Sequence, residues 1–255
     1  MGPYVLTTLL FAGITLLSLP FAIREKEPRH ITKRNIFGYP LICGLFYVIA
    51  QYSFLMAMER APISIVSPVG ASQIMVPVLL SIIFLRERPT RLQYLGIPSV
   101  IGGVIFLANP FIGITSVTPL NPILYIILTV NVLSAGLMIY FSRLSIPIFG
   151  PNRTLTLSSL FALPIVLILI FIQPLKIISV EDLIYIIVVG ITIIAARLSL
   201  YRGMRTIPMT ILMPLVSLFP LIPMAFGIFV LGESLTLLQG IGAGFAIVGV
   251  MILRR

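Results

Sequence analysis

Residues 77–107, PVLLSIIFLRERPTRLQYLGIPSVIGGVIFL, and residues 220–253, PLIPMAFGIFVLGESLTLLQGIGAGFAIVGVMIL, carry one pattern twice. At an ungapped offset of 146, residues 58–107 and 204–253 share 16 of 50 positions. The matches include Pro62/Pro208, Pro68/Pro214, Pro77/Pro223, Glu87/Glu233, Thr90/Thr236, Gln93/Gln239, Gly96/Gly242 and Gly103/Gly249. Upstream they continue at Gly44/Gly190, Ala50/Ala196 and Ser53/Ser199. Shared apolar composition aligns leucines by accident. It does not align three prolines, a glutamate, a glutamine and two glycines in register, so the chain holds an internal repeat.

The solvent of that repeat follows from composition. Of 255 residues, 59% are hydrophobic and 9% charged, against about 25% charged in a soluble domain. Too little charge is present to cover a globule, so the apolar excess must face lipid. Nine apolar segments are readable, at about 4–22, 36–57, 63–84, 92–110, 122–142, 154–173, 183–201, 207–231 and 236–253, divided by short breaks bearing Pro, Gly or charge. A membrane helix takes about 20 residues, so the expected fold is all-α, a polytopic protein of nine transmembrane helices. Only Met1-Gly2-Pro3 precedes the first segment, with no basic stretch, and that segment reads as a retained helix rather than a signal peptide.

The net charge of +10 is a topology signal. Fifteen of the 17 Lys and Arg fall in alternate breaks, and only Arg60 and Lys176 lie on the other side. Basic residues stay in the cytoplasm. The expected topology is therefore multi-pass in the plasma membrane, N-terminus outside and C-terminus cytoplasmic, with lipid bilayer and no nucleic acid as the partner of this charge. A single cysteine, Cys43, excludes an intrachain disulfide, and a single histidine, His30, leaves no His/Cys set for a metal. No cofactor is expected.

The offset pairs the second segment with the seventh, the third with the eighth and the fourth with the ninth. Partners five helices apart run oppositely through a bilayer, which makes the repeat inverted. Its halves are residues 1–110, with four helices, and 120–255, with five, so the first half reads as one helix short of a five-plus-five plan. Inverted repeats with a site near the midplane are the mark of secondary transporters.

A Pro-bearing apolar helix, a Glu at its end and a following helix with spaced glycines, occurring twice, resembles the duplicated signature of the EamA-type drug/metabolite transporters. The resemblance covers nearly the whole chain. It implies a ten-helix carrier with cytoplasmic termini, from which this sequence departs by lacking the first helix.

Pro68, Pro77, Pro214, Pro220 and Pro223 fall within the third and eighth segments. Proline removes a backbone donor and clashes with the preceding turn, so kinks are expected there, either lining a cavity or shaping packing. Glu87 and Glu233 precede the fourth and ninth helices, with Thr90 and Thr236 three residues on. A carboxylate there suits the positive end of the next helix, with the Thr as N-cap; the functional alternative is a gate or a proton-coupling acid. Gly96, Gly103, Gly242 and Gly249 recur every seven residues, and Gly240 and Gly244 form a GxxxG. All six are expected on a small-residue packing face, within the protomer or in a homodimer.

Polar residues near mid-depth are Tyr47, Gln51, Ser72, Gln73, Asn131, Ser134, Thr192 and Ser217. They join helices by hydrogen bonds or line a substrate pathway, and Tyr47, Gln51, Gln73, Asn131 and Ser217 are the pathway candidates together with Arg197. Arg197 is placed nearer the cytoplasmic end of its helix, where it snorkels to the interface or, facing a cavity, meets an anionic group such as carboxylate or phosphate. Gln51 and Arg197 are repeat equivalents. No Asp or Glu lies mid-span, which disfavours a carboxylate proton relay and favours facilitated diffusion or exchange.

The expected function is an integral membrane carrier that moves a small metabolite (amino acid, nucleoside or related solute) by alternating access, with no catalytic residue. The alternatives are a non-transporting membrane subunit or assembly partner and, with least support, a polytopic membrane enzyme. Such an enzyme needs clustered acids or an interfacial His, whereas Glu181-Asp182 and His30 fall on opposite sides.

Overall fold

A computed structural model of the chain describes residues 3–25, 38–61, 66, 69–70, 72–107, 122–170, 180–216, 218 and 237–253. Among them every regular element is helical: α1 (Pro3–Arg24), α2 (Tyr39–Met58), α3 (Met75–Phe84), α4 (Arg91–Leu107), α5 (Pro122–Phe149), α6 (Pro151–Ile170), α7 (Val180–Thr206), α8 (Met209–Val216) and α9 (Leu237–Leu253), with a 3-10 turn at Ser72–Ile74. Four stretches are long and apolar enough to cross a membrane: α2, α5, Pro151–Ile168 of α6 and Ile186–Thr206 of α7. Thr8–Arg24, Ser72–Phe84 and Gly240–Gly249 are shorter apolar helices.

The distribution of side chains is that of a protein in lipid. Leu16, Ile23, Phe84, Leu95, Ile168 and Met251 are each at least 65% exposed, while Thr8, Thr15, Ser18, Thr154, Thr156, Ser158 and Ser159 are buried. In water such an apolar surface would aggregate; in hydrocarbon it costs nothing, and small hydroxyls become the preferred contact between helices. On α1 the buried stripe Thr8, Phe11, Ile14/Thr15 and Ser18 repeats every three or four residues, the helical period. It meets α6 at Thr156, whose Oγ1 stands 3.0 Å from Ser18 Oγ.

The chain divides into two compact units, Met1–Leu55 with Leu137–Thr206, and Met56–Gly136 with Ile207–Arg255. Neither unit is one copy of the repeat, since each combines helices from both.

In the first unit, α1 packs against α6 and α7. The break expected over 143–153 shrinks to one residue, Gly150, with φ +82°. Its N–H donates to Ile146 O at 2.8 Å and its carbonyl accepts from Thr154 N–H at 3.0 Å. A left-handed glycine stops one helix and a proline, with no N–H to lose, starts the next. That pair joins α5 to α6 without a loop. Glu25, at the end of α1, packs on Gly150 where a Cβ would stand and accepts Arg153 N–H at 2.8 Å. The Arg153 guanidinium donates back to Glu25 O at 2.8 Å and Ala22 O at 3.1 Å, so the α1 end and the α6 start are tied twice.

In the second unit, α4 and α9 form the main contact, and it is reciprocal. A Cβ on Gly103 would stand 2.5 Å from Ala246 N and 2.7 Å from Gly242 O; one on Gly249 would stand 2.7 Å from Val100 N and 3.0 Å from Gly96 O. Ala246 and Gly242 are the repeat equivalents of Val100 and Gly96. Between them Ser99 Oγ donates to Phe245 O at 3.0 Å, and Phe245 is the equivalent of Ser99. Gly103 faces 242–246 while Gly249 faces 96–100, so the two helices run antiparallel.

Two of the six expected packing glycines do not belong to this face. Gly240 is exposed, and a Cβ on it would meet nothing within 4 Å. Gly244 is likewise exposed, and a Cβ on Gly244 would also meet nothing within 4 Å. The reason is helical phase. The buried positions of this stretch are Gly242, Ala246 and Gly249, spaced by four and three residues. Gly240 and Gly244 lie two residues out of step with Gly242, which turns them about half a revolution away. The GxxxG spacing is therefore present, but on the face of α9 away from α4.

The third segment is helical at Val66, Val69 and Gly70 and again over Ser72–Phe84. α3 begins at Met75 behind the 3-10 turn, which puts Pro77 in its first turn, where a missing N–H has no intrahelical partner to lose. The Gln73 carbonyl, four residues back, lies over Gly136 of α5, where a Cβ would stand 2.8 Å away.

Gly150→Ala is expected to lower the thermal unfolding midpoint of the detergent-solubilised protein. A left-handed backbone costs a residue with a Cβ about 1–2 kcal/mol, and Glu25 must also move. Gly240→Ala and Gly244→Ala, both in open space, should cause no loss. A Gly150→Ala midpoint equal to that of either variant would contradict the Gly150 joint.

Candidate functional site

Three helices of the first unit each contribute two residues four positions apart, the spacing that puts side chains on one helix face. α2 supplies Cys43 and Tyr47, α5 supplies Met138 and Ser142, and α7 supplies Arg197 and Tyr201. The Arg197 guanidinium carbon stands 3.6 Å from the centre of the Tyr47 ring, a cation–π contact. Its Nη2 points at Met138 Sδ, 3.5 Å away. Behind Tyr47 lies Phe11 of α1, ring centres 4.3 Å apart, within a buried apolar cluster that includes Val48, Ala162 and Val166.

The hydroxyls and the thiol satisfy one another. Ser142 Oγ donates to Met138 O at 2.8 Å, one turn back along α5. Its lone pairs face Tyr201 Oη at 2.9 Å and Cys43 Sγ at 2.9 Å. The Cys43 thiol also donates to Met138 O, at 3.5 Å, so the serine and the thiol share that acceptor. The guanidinium has no such balance. Its Nη1 is buried and has no hydrogen-bond partner, and no ion pair to Arg197 is found among the described residues. Buried Ser81 Oγ and Asn152 Oδ1 share that lack of a partner, but neither carries charge.

The seventh segment, expected to end at 201, continues as helix to Thr206. Within α7, Val180–Thr206, Arg197 is the eighteenth of 27 residues, in the half toward Thr206. The side chain does not snorkel outward: the residue is partly exposed while its charged tip is the enclosed part.

Of the other expected pathway residues, Tyr47 is buried against Arg197, and Gln51, one turn on along α2, is half-buried. Gln73 and Asn131 belong to the second unit, the first half-buried and the second buried. Ser134 bonds back to its own helix at Asn131 O, 3.2 Å. Thr192 is exposed and bonds to Val188 O at 2.8 Å, so it faces away from the interior. Pro214 lies inside α8. Ser217, Pro68, Pro220, Pro223 and Glu233 lie outside the described residues. Cys43, Met138, Ser142 and Tyr201 were not anticipated; their signal was the recurring four-residue spacing of polar or polarisable side chains on three different helices.

Glu87 does cap a helix N-terminus, but not that of α4. α4 is closed by its own residues, Thr90 N–H donating to Gln93 Oε1 at 3.0 Å and Gln93 N–H to Thr90 Oγ1 at 3.4 Å, a reciprocal box. The Glu87 carboxylate accepts instead from Met209 N–H at 3.0 Å and Thr210 N–H at 3.1 Å, the first amides of α8. The turn that aims it passes through Arg86, with φ +54°, and Glu87 N–H returns to Ser81 O at 3.2 Å. The repeat equivalent of Arg86 is Gly232, the residue such a backbone favours. Glu87 thus fastens a loop of the first copy to the proline-bearing helix of the second.

A family model described as the EamA-like transporter family matches residues 1–109 and 122–255. An archaeal relative, the uncharacterized protein MJ1333.1 of Methanocaldococcus jannaschii, is 35% identical over 78 residues, 31% of this chain and 57% of that protein; the chain thus spans little more than half of that relative's length. One solved structure, described only as a crystal structure of a protein, superposes with a TM-score of 0.78, covering 99% of this chain and 88% of its own at 16% identity. At that identity the likeness is one of fold.

Glu87→Ala leaves two amides of α8 without an acceptor, and a buried unpaired donor costs about 1–3 kcal/mol. The expected result is a clear fall in thermal midpoint in detergent, with Glu87→Gln intermediate because it keeps one acceptor. Thr90→Ala touches only the α4 box and should cost about 1 kcal/mol. A Glu87→Ala midpoint no lower than that of Thr90→Ala would contradict the α8 contact.

Proposed function

The chain belongs to the EamA-like transporter family, and from that membership we propose that it is a carrier moving a small metabolite across the plasma membrane by alternating access of two inverted halves. The family and the apolar helices make it a multi-pass membrane protein. The observation that carries the finer reading is the bond from Ser99 to its own repeat equivalent, Phe245. A residue meets its equivalent only beside a two-fold axis, and the reciprocal glycine contacts of antiparallel α4 and α9 agree with such an axis running across the helices. For helices that span a bilayer, that axis lies in the membrane plane, the arrangement of inverted-repeat transporters. The basic residues, fifteen of 17 on one side, support an outer N-terminus and a cytoplasmic C-terminus. Tyr47 and Arg197, brought together in a cation–π contact, are the pathway residues of this reading.

Reconstitution in liposomes tests it. Counterflow over a panel of organic acids, amino acids, nucleosides and sugar phosphates should show saturable exchange for at least one class. Folded protein that exchanges none of them would overturn the carrier in favour of a membrane subunit without transport. The topology has its own measurement: His30→Cys should be labelled by impermeant maleimide only from the cytoplasmic side, and Lys176→Cys only from outside.

A further inference from the structure

We propose that the Arg197 cluster binds the carboxylate of an organic monoanion with an apolar body. The inference rests on the carrier reading and names the substrate class its site selects. Three observations carry it: the charge, the state of the neighbouring donors, and the packing around Tyr47.

A guanidinium keeps its charge in a protein interior, and a buried charge is tolerated only when paired. Arg197 has a ring face and a thioether as neighbours and an Nη1 with no acceptor. Its missing partner is an anion. The neighbouring hydroxyls and thiol, of Ser142, Tyr201 and Cys43, are bonded to one another and to Met138 O. Recognition therefore falls to the guanidinium, whose fork matches two oxygens of one planar group.

The charge count then separates candidate anions. One cation neutralises a carboxylate, whereas a phosphate monoester carries about −1.5 to −2 at neutral pH and would bring uncompensated charge into an apolar site. A zwitterionic amino acid would need an acid for its ammonium. The described carboxylates in this unit with known partners are engaged elsewhere, Glu25 with Arg153 at the α1–α6 joint. The packing around Tyr47 is apolar, with Phe11, Val48, Met138 and Val166, which fits a hydrocarbon or aromatic body. Nη1 is enclosed in this conformation, so a ligand meets it when the bundle opens, as the carrier reading requires.

Calorimetric titration of the full chain in detergent with 3-phenylpropionate, its amide, phenyl phosphate and phenylalanine is the test. A charge-assisted bidentate contact should make the acid bind roughly tenfold or more tighter than the amide. The acid should also exceed phenyl phosphate and phenylalanine. Arg197→Leu should abolish the acid–amide difference while leaving the amide as it was, and Arg197→Lys should keep part of it. The acid–amide ratio of the unaltered protein decides the matter even where a variant does not fold. Equal binding of acid and amide, no binding of the acid, or an unchanged ratio in Arg197→Leu would overturn the proposal. Tighter binding of phenyl phosphate would overturn the choice of carboxylate. Counterflow of neutral solutes would leave the carrier reading standing in each of those cases.

Discussion

Hydrocarbon offers no hydrogen bonds, so every polar group carried into these helices must find its partner within the chain. That demand orders the architecture more than apolar contact does, because lipid is as apolar as leucine and gives helices little reason to associate on that account. The hydroxyl stripe of α1 turns inward to meet Thr156 of α6. The α8 amides are taken by Glu87, and Ser142 collects a thiol and a phenol. Where small residues remove side chains altogether, as at Gly103 and Gly249, backbones approach closely.

Against that background the Arg197 tip stands out, since its Nη1 has no hydrogen-bond partner among the described residues. It lies beside groups that are all satisfied, so its lack of a partner is not a general looseness of the region.

Much of the helical plan was legible in the sequence, since nine apolar segments correspond to the nine α-helices among the described residues. The boundaries were less so, for local reasons. The Gly150–Pro151 pair reads as a loop by composition, yet a left-handed stop followed by a proline start makes a one-residue joint. The α7 helix outran its apolar stretch because Tyr201 and Met204 are buried while Arg202 and Arg205 are exposed. Pairing Arg197 with Tyr47 needed the third dimension, though the four-residue spacing on each helix was visible. The glycines divided by register: those that recur in both copies, such as Gly103 and Gly249, sit in the contact, whereas Gly240 and Gly244 have Tyr94 and Pro98 as repeat equivalents and stay outside it. Glu87 was read with the right physics and the wrong helix: nothing local distinguishes the α4 amides from those of α8, 122 residues away in sequence. The Thr90–Gln93 box, which already occupies α4, was the available clue.

The Ser99–Phe245 contact has a consequence for how such a chain came to be. A residue facing its own counterpart is what two separate half-length chains would present at the centre of a symmetric dimer. In that arrangement one position must suit both sides of the contact at once. Joining the halves into a single polypeptide lifts the restriction, and the serine and phenylalanine now found there are the product of that freedom: one side keeps a hydroxyl to give, and the other only a backbone carbonyl to receive it. The seam between α4 and α9, held by a hydroxyl on one side and a backbone carbonyl on the other, is free to be unequal in a way that a contact between identical chains is not.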